Sequence, residues 1–186
     1  MLEGYPRTAT LKDGAVITLR PATRDDEYDL SRFFASLPEE ATRYLRNDVT
    51  DRKLIARWMR ELDYEKTLPI LAEHGGKIVA SATLHRQTFG WGRHVGEVRV
   101  VIDPAFQGRG LGSLLIQEIC RIGAGGGLRK LVARIVSVRG GAILAFERSG
   151  FHRVATLEKY VKDLRQQYAD IVILVKELVP GMSAGT

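Results

Sequence analysis

The sequence predicts a mixed α/β domain, and three observations support this prediction. The chain has 186 residues, of which 45% are hydrophobic and 27% are charged, a composition typical of a globular protein with one sizeable core. Segments with strand-like alternation occur between segments with apolar residues at helical spacing. A glycine-rich loop, residues 107–112, joins one such strand to one such helix. We therefore expect one domain over residues 1–180 and a flexible tail over residues 181–186.

The first third of the chain predicts a hairpin followed by three helices. Residues 16–20 alternate in polarity after the turn residues Lys12-Asp13-Gly14, and residues 8–11 can pair back on them. Thr23 is placed to cap a first helix, because acidic residues follow it in the first turn. A second, short helix is expected from Pro38 to about Leu45. The third shows the clearest amphipathic stripe, which consists of Leu54, Ile55, Trp58, Met59 and Leu62.

The rest of the chain predicts strands built around two further helices. Residues 68–72 and 77–84 form a hairpin across His74-Gly75-Gly76, and the next strand, Glu97 to Ile102, ends at Asp103-Pro104. A helix with leucine and isoleucine on its buried side then runs to a group of glycines. The remaining elements are a strand at 131–136, a helix at 141–149, and strands around 151–157 and 171–177.

The charge and cysteine content of the chain exclude several classes of protein. The 28 Lys and Arg residues outnumber the 22 Asp and Glu residues, which gives a charge of +6 and favours an anionic partner. These charges are scattered and no aromatic-rich basic motif is present, so no nucleic acid partner is expected. The absence of a long apolar run and of a secretory signal predicts a cytoplasmic protein with no membrane partner. The single cysteine, Cys120, excludes an intramolecular disulfide, and the four histidines show no metal-ligand spacing.

The most informative segment is the loop Gln107-Gly108-Arg109-Gly110-Leu111-Gly112. Glycines at alternate positions let backbone N–H groups turn inward and form a concave anion site. The helix that begins there adds its positive N-terminal end, and Arg109 adds a full charge. The segment lacks the lysine of a P-loop, and Ser113 stands where a dinucleotide fingerprint needs its third glycine. The loop therefore predicts a phosphate or pyrophosphate site of another kind.

This loop, together with the strand Val98 to Ile102 and Asp103 before it, resembles the acyl-CoA-binding motif of the GNAT superfamily of N-acetyltransferases. The segment Ala142 to Phe151 is similar to the second motif of that superfamily. The resemblance implies a mixed, mostly antiparallel sheet of about seven strands flanked by helices, with acetyl-CoA as the acyl donor and no metal. Four further segments resemble the catalytic domains of bacterial Pat-type protein lysine acetyltransferases: Leu19-Arg20-Pro21, Ser36-Leu37-Pro38, Arg43-Tyr44-Leu45-Arg46 and Tyr160-Val161-Lys162-Asp163.

The resemblance also implies roles for particular residues. Backbone groups of the strand before the loop would hold the pantetheine arm of acetyl-CoA, and the N–H groups of Gly108 to Gly112 would bind its pyrophosphate. Glu97, ten residues before Gln107, stands where Pat-type enzymes place a glutamate general base. The complete implied cofactor site comprises Val100, Val101, Ile102, Gln107, Gly108, Arg109, Gly110, Leu111, Gly112, Ser113, Arg139 and Phe146.

Elementary chemistry also favours a carboxylate at Glu97, because an ammonium must lose a proton before its nitrogen can attack a thioester. Arg99 lies two residues further on, so on a regular strand the two side chains share a face about 7 Å apart. Its guanidinium can keep Glu97 ionised and lower its basicity, or it can bind an acidic group of the acceptor. A strand bulge that separates the two residues and an ion pair in solvent are the other possibilities.

Other positions bear on the acid step and on the acceptor. Phe146 stands where many superfamily members carry a tyrosine as general acid, which leaves Tyr160 or solvent to protonate the departing thiolate. Arg139 stands where an asparagine often precedes the second-motif helix. Phe89 and Trp91, in a glycine-flanked loop, are candidates for the acceptor site, and His85 is an alternative base.

These observations predict direct transfer of an acetyl group from acetyl-CoA to a primary amine, with Glu97 as the general base. A protein lysine is the first acceptor expected and a small-molecule amine is the second, and the protein is expected to be a monomer or a homodimer. The alternative is a non-catalytic acyl-CoA-binding module that senses acetyl-CoA and regulates a partner. Such a module would keep the glycine loop and would not need Glu97.

Overall fold

Eight strands form one continuous sheet in a computed structural model, which describes residues 2–45, 47–163 and 165–179. The strands are β1 Arg7–Thr10, β2 Val16–Pro21, β3 Thr67–His74, β4 Lys77–Arg86, β5 Val95–Ile102, β6 Lys130–Val136, β7 His152–Lys162 and β8 Tyr168–Glu177. Their order in the sheet is β1-β2-β3-β4-β5-β6-β8-β7. All neighbouring pairs are antiparallel except β5 and β6, which are parallel because a helix forms the crossover between them.

The part of the chain that the structure describes contains five α-helices beside the sheet: α1 Glu27–Ser36, α2 Glu39–Thr42, α3 Arg52–Arg60, α4 Leu111–Gly125 and α5 Gly140–Arg148. The alternation of side chains along β3 divides the core between the faces. Leu71 packs with α1 and α3, whereas Ile70 and Ala72 belong to the larger cluster that includes α4 and α5. No described helix is long and apolar enough to cross a membrane.

The predicted fold class is confirmed, with one strand more than the seven or so expected. The hairpin expected from residues 8–11 and 16–20 is present as β1 and β2, which pair across the turn at Lys12 to Gly14. Strand β7 continues to Lys162, well beyond the predicted end near residue 157. The prediction ends too early because a register shift between Leu157 and Val161 interrupts the alternation of the strand. Helix α2 is shorter than the predicted segment from Pro38 to Leu45. The predicted tail, residues 181–186, lies outside the described residues.

The feature of the fold that matters most for function is the divergence of β5 and β6. The two strands pair only from Val95 to Glu97, opposite Lys130 to Val132. Beyond this point, in a stretch that the structure describes in full, β5 continues alongside β4 and β6 continues alongside β8. A V-shaped opening therefore separates the two strands, and Glu97 lies at its apex. Gly96 precedes Glu97 on β5. A Cβ atom added to Gly96 would come within 2.7 Å of Leu128 and 2.8 Å of Leu84.

Candidate active site

A cavity of about 1390 Å³ occupies the opening between β5 and β6. Its wall on one side is the second half of β5, which includes Val100, Val101 and Ile102. Glycine-loop residues and Glu97 both line this cavity, so both belong to the same space. Residues of α1 to α5 and of β3, β4, β6, β7 and β8 also contribute to the lining.

The glycine loop has the backbone conformation that an anion site requires. Gly108 and Gly110 have φ angles of +73° and +94°, in the left-handed region that favours glycine. Gly110 is also the residue that caps α4, and the N–H groups of the first helical residues have no partner within the helix. Gln107, Gly112 and Ser113 line the cavity beside these two glycines. A loop of this form fits a pyrophosphate group.

Two residues of the loop turn their side chains away from the cavity. Arg109 forms an ion pair with Asp13 in the turn between β1 and β2, where its hydrogen bond lowers the pKa of the Asp13 carboxyl. Its guanidinium also lies 4.5 Å from the centre of the Phe106 ring. Leu111 is completely buried in the core. Only the backbone groups of Arg109 and Leu111 are therefore positioned to contribute to an anion site.

Lys12 is a cavity residue that the sequence analysis did not identify. Its aliphatic chain lies 3.7 Å from the position that a Cβ atom of Gly110 would occupy. The backbone N–H of Lys12 donates to the carbonyl of Arg109 at 3.5 Å. This contact joins the first hairpin to a loop almost a hundred residues away, and it adds a cation to the anion site.

Glu97 is partly buried, and two arginines contact its carboxylate. Arg99 Nε lies 3.1 Å from Oε1, and Arg134 Nη1 lies 2.5 Å from Oε2. Strand β5 is regular here, because each residue from Gly96 to Ile102 follows its partner on β4 without a shift. Arg99 therefore shares a face with Glu97 and pairs with it. Arg134 reaches Glu97 from β6, across the opening, and the sequence analysis did not single it out.

A row of polar side chains extends from Glu97 across the sheet. His85 lies opposite Glu97 in the register of β4 and β5, and Thr67 lies opposite His85 in the register of β3 and β4. Directly opposed residues of antiparallel strands project from the same face. Thr67 Oγ1 and His85 Nδ1 are 3.4 Å apart. All three residues line the cavity.

Comparison with known proteins identifies the family. Residues 30–151, more than half of the chain, match the model of the acetyltransferase (GNAT) family. The chain belongs to this family. It is 30% identical over 125 residues to YwnH, a candidate phosphinothricin acetyltransferase of Bacillus subtilis (strain 168), and the match covers 65% of this chain and 74% of YwnH. The protein is therefore an acetyl-CoA-dependent N-acetyltransferase, and acetyl-CoA is its acyl donor.

Solved GNAT structures share the fold of this enzyme. The GNAT domain of S. lividans PAT superposes with a TM-score of 0.77 at 22% identity, covering 92% of this chain and 96% of that domain. The structure of yncA, a Salmonella typhimurium protein solved with acetyl-CoA, superposes with a TM-score of 0.75 at 20% identity, covering 91% of this chain and 98% of yncA.

Phe146 and Arg139, the two unusual residues of the second motif, occupy different environments in this GNAT enzyme. Phe146 is buried at one side of the cavity, where its ring packs edge to face on Phe151 with centres 5.0 Å apart. Arg139 precedes α5 and lines the cavity, and its guanidinium donates to the carbonyl of Glu40 in α2. Tyr160 is 66% exposed and also lines the cavity.

The aromatic loop lies outside the cavity that holds Glu97. Phe89 and Trp91 are 82% and 95% exposed. They line a smaller cleft of about 580 Å³, which shares Lys66, Thr67 and His85 with the main cavity. The structure therefore does not bring Phe89 and Trp91 to Glu97, although the cleft adjoins the site.

Two segments that resemble Pat-type enzymes meet beside the cavity. Arg43, next to α2, forms an ion pair with Asp163 at the end of β7, and the Asp163 carboxylate is completely buried. Burial acts to raise the pKa of Asp163, but hydrogen bonds from the Gln167 N–H and from Arg43 hold it below its ordinary value. Among the described residues, no group of three or more His, Cys, Asp or Glu side chains is arranged to hold a metal ion.

Proposed function

We propose that this enzyme transfers the acetyl group directly from acetyl-CoA to a primary amine and that Glu97 accepts the proton that the amine loses. The observation that supports this role best is the position of Glu97 at the apex of the opening between β5 and β6. A carboxylate at this position faces the same cavity as the glycine loop. An acceptor that enters the cavity can therefore meet both the acyl donor and the base.

Binding of acetyl-CoA is assigned to groups along the edge of the opening. We propose that backbone groups of Val100, Val101 and Ile102 align the pantetheine arm, because no described strand pairs with β5 on this side beyond Glu97. The N–H groups at the start of α4 and the Ser113 hydroxyl would hold the pyrophosphate, and the Lys12 ammonium would lie beside it. Acetyl-CoA supplies an activated acyl carbon in its thioester.

The proposed transfer balances in atoms and protons. The acceptor ammonium first loses one proton to Glu97, which passes it to solvent. The neutral nitrogen then forms a bond to the acyl carbon, the C–S bond breaks, and the nitrogen releases its second proton to solvent. A lysine ammonium has a pKa of about 10.4, so removal of the first proton is a substantial part of the barrier. A thiol has a pKa of about 8.5, so its thiolate is an acceptable leaving group and takes its proton from solvent or Tyr160. Phe146 cannot supply that proton.

The acceptor and the location of the enzyme are the finer parts of the proposal. The resemblance to Pat-type enzymes favours a protein lysine as the acceptor, and a small-molecule amine is the second class. The single cysteine and the use of acetyl-CoA favour the cytoplasm.

The test compares Glu97→Gln with wild type and with the control Glu177→Gln. Glu177 is an exposed carboxylate on β8 that pairs with Lys130. We expect all three proteins to bind acetyl-CoA in calorimetric titrations. With a panel of amines, release of the CoA thiol should fall about a hundredfold or more in Glu97→Gln and remain at the wild-type rate in Glu177→Gln. Equal rates in Glu97→Gln and wild type would exclude Glu97 as the base. Binding of acetyl-CoA without transfer to any amine would favour the sensor module.

A further inference from the structure

The carboxylate proposed as the base is held by two cations. Arg99 contacts one oxygen of Glu97 and Arg134 contacts the other. The cavity as a whole is cationic, since its lining among the described residues has eight lysines and arginines and three carboxylates. One of the other two carboxylates, Asp63, pairs with Lys66 at 3.2 Å. The apex of the opening therefore carries an excess of positive charge next to Glu97.

This arrangement opposes proton acceptance by Glu97. A nearby positive charge stabilises the ionised form of a carboxylate and makes it a weaker base. Hydrogen bonds from the guanidinium groups also occupy one lone pair on each oxygen of Glu97. Glu97 therefore becomes a stronger base when at least one of the two arginines is drawn away from it.

The two guanidinium groups are suitably placed to hold a second anion. They already lie close enough together to bind the two oxygens of one carboxylate. Their side chains are 32% and 42% exposed, compared with 19% for Glu97, so an entering molecule can reach them. Planar guanidinium groups match the geometry of carboxylates and phosphates.

We infer that the acceptor carries an anionic group, a carboxylate or a phosphate, beside its amine, and that this anion draws Arg99 and Arg134 away from Glu97. This inference rests on the proposed function and names the chemistry of its acceptor. The ammonium of the acceptor then faces a carboxylate whose basicity the two arginines no longer lower. Arg99 and Arg134 select the acceptor, and the same event makes the base available.

Such an anion can come from two sources, and matched acceptors distinguish them. One pair is leucine and leucinamide, which differ in the carboxylate of a small molecule. The other pair is a blocked Asp-Lys-Asp peptide and a blocked Asn-Lys-Asn peptide, which differ in the acidic neighbours of a protein-like lysine. We expect kcat/KM to be about tenfold or more higher for the anionic member of at least one pair. For the first pair, the intrinsic reactivity of the amines favours leucinamide, because its ammonium loses a proton more readily than that of leucine. A preference for leucine would therefore come from the enzyme.

The variants Arg99→Gln and Arg134→Gln provide the decisive comparison. Each should lower transfer to the anionic acceptor about tenfold, because a cation for the anion is lost. Each should also raise transfer to the neutral acceptor, because Glu97 loses a cation that weakens it as a base. A variant that had merely lost structure would transfer more slowly to both acceptors, so a fall with one acceptor and a rise with the other distinguishes the two causes. Lys130→Gln removes a positive charge from the same strand as Arg134, away from the cavity, and should change neither rate.

Equal kcat/KM values within both pairs would overturn the inference, as would an anion preference that survives both arginine substitutions. In either of these cases, transfer that still requires Glu97 would leave the proposed function intact while the inference fails. If no amine is acetylated although acetyl-CoA binds, the proposed function fails and the inference fails with it.

Discussion

Gly110 is the residue on which the start of α4 depends. Its φ of +94° is unfavourable for any residue with a Cβ atom. We expect Gly110→Ala to lower the free energy of unfolding by about 1 kcal/mol. It should also weaken acetyl-CoA binding about tenfold, because the N–H groups at the helix start shift. Chemical denaturation and calorimetry measure the two effects.

Gly125→Ala is the matched control for this substitution. Gly125 is the last residue of the same helix, and a Cβ atom there would have no neighbour within 4 Å. This change should leave acetyl-CoA binding unchanged and leave stability equal or slightly higher. Wild-type affinity in Gly110→Ala would contradict the role given to the loop backbone.

Sequence patterns revealed only some of the residues around the cavity. The glycine loop can be identified because its residue types and spacing carry chemistry within one short segment, and Glu97 follows from the resemblance to Pat-type enzymes. Sequence patterns do not identify Arg134 and Lys12, because tertiary contacts bring these residues to the site from β6 and from the first hairpin. Nothing in the local sequence of an isolated arginine or lysine distinguishes such a residue from an ordinary surface cation.

At the scale of elements, close packing at Gly96 fixes the position of β5. A Cβ atom at this position would come within 3.0 Å of Leu84, Leu128 and Leu131. We expect Gly96→Ala to lower the free energy of unfolding by about 1–3 kcal/mol through overpacking. Turnover should fall as well, because the displaced strand carries Glu97. Chemical denaturation and steady-state kinetics test this expectation.

The control for Gly96→Ala is again Gly125→Ala, at the end of α4 and away from the cavity, where a Cβ atom would meet no neighbour within 4 Å. A stable and fully active Gly96→Ala protein would show that the strand tolerates the added methyl group without moving Glu97.

The ion pair between Arg43 and Asp163 connects α2 to the turn between β7 and β8, and it predicts a dependence of stability on pH. The pKa of Asp163 is lower in the folded protein than the ordinary value of about 4. Its contribution to stability is therefore complete above about pH 4 and is lost as the pH falls through the lower, folded pKa. Melting temperatures of wild type and Asp163→Asn should converge as the pH is lowered from 7 to 3. A constant difference over this range would contradict the assignment.

The order and type of most elements could be predicted because apolar periodicity is strong in them. Turn residues predict the hairpin at His74-Gly75-Gly76 as well, and both glycines have positive φ angles in the structure. The full length of β7 was not predictable, because Lys159 has a φ of +50° within an irregular stretch of the strand. The alternation that marks a strand in the sequence is interrupted there.

For the molecule as a whole, two sequence motifs indicate the family and the fold class, but they do not predict the shape of the cavity. The cavity is lined by residues from Lys12 to Ile171, on strands, helices and loops that meet only in the folded chain. Contacts such as that of Arg109 with Asp13 depend on how the first hairpin is placed against α4.

The divergence of β5 and β6 has a consequence for how the native state opens. Among the described residues, backbone pairing connects β1–β5 to the group β6, β8 and β7 at three residue pairs, although side chains of both groups share one core. Segments with so little backbone pairing between them can exchange their amides at different rates as separate units. A donor molecule seated between the strands would tie the two units together. Acetyl-CoA should therefore slow deuterium uptake in β6 and β8 as well as in the glycine loop, and protection confined to that loop would show that the units are already coupled without it.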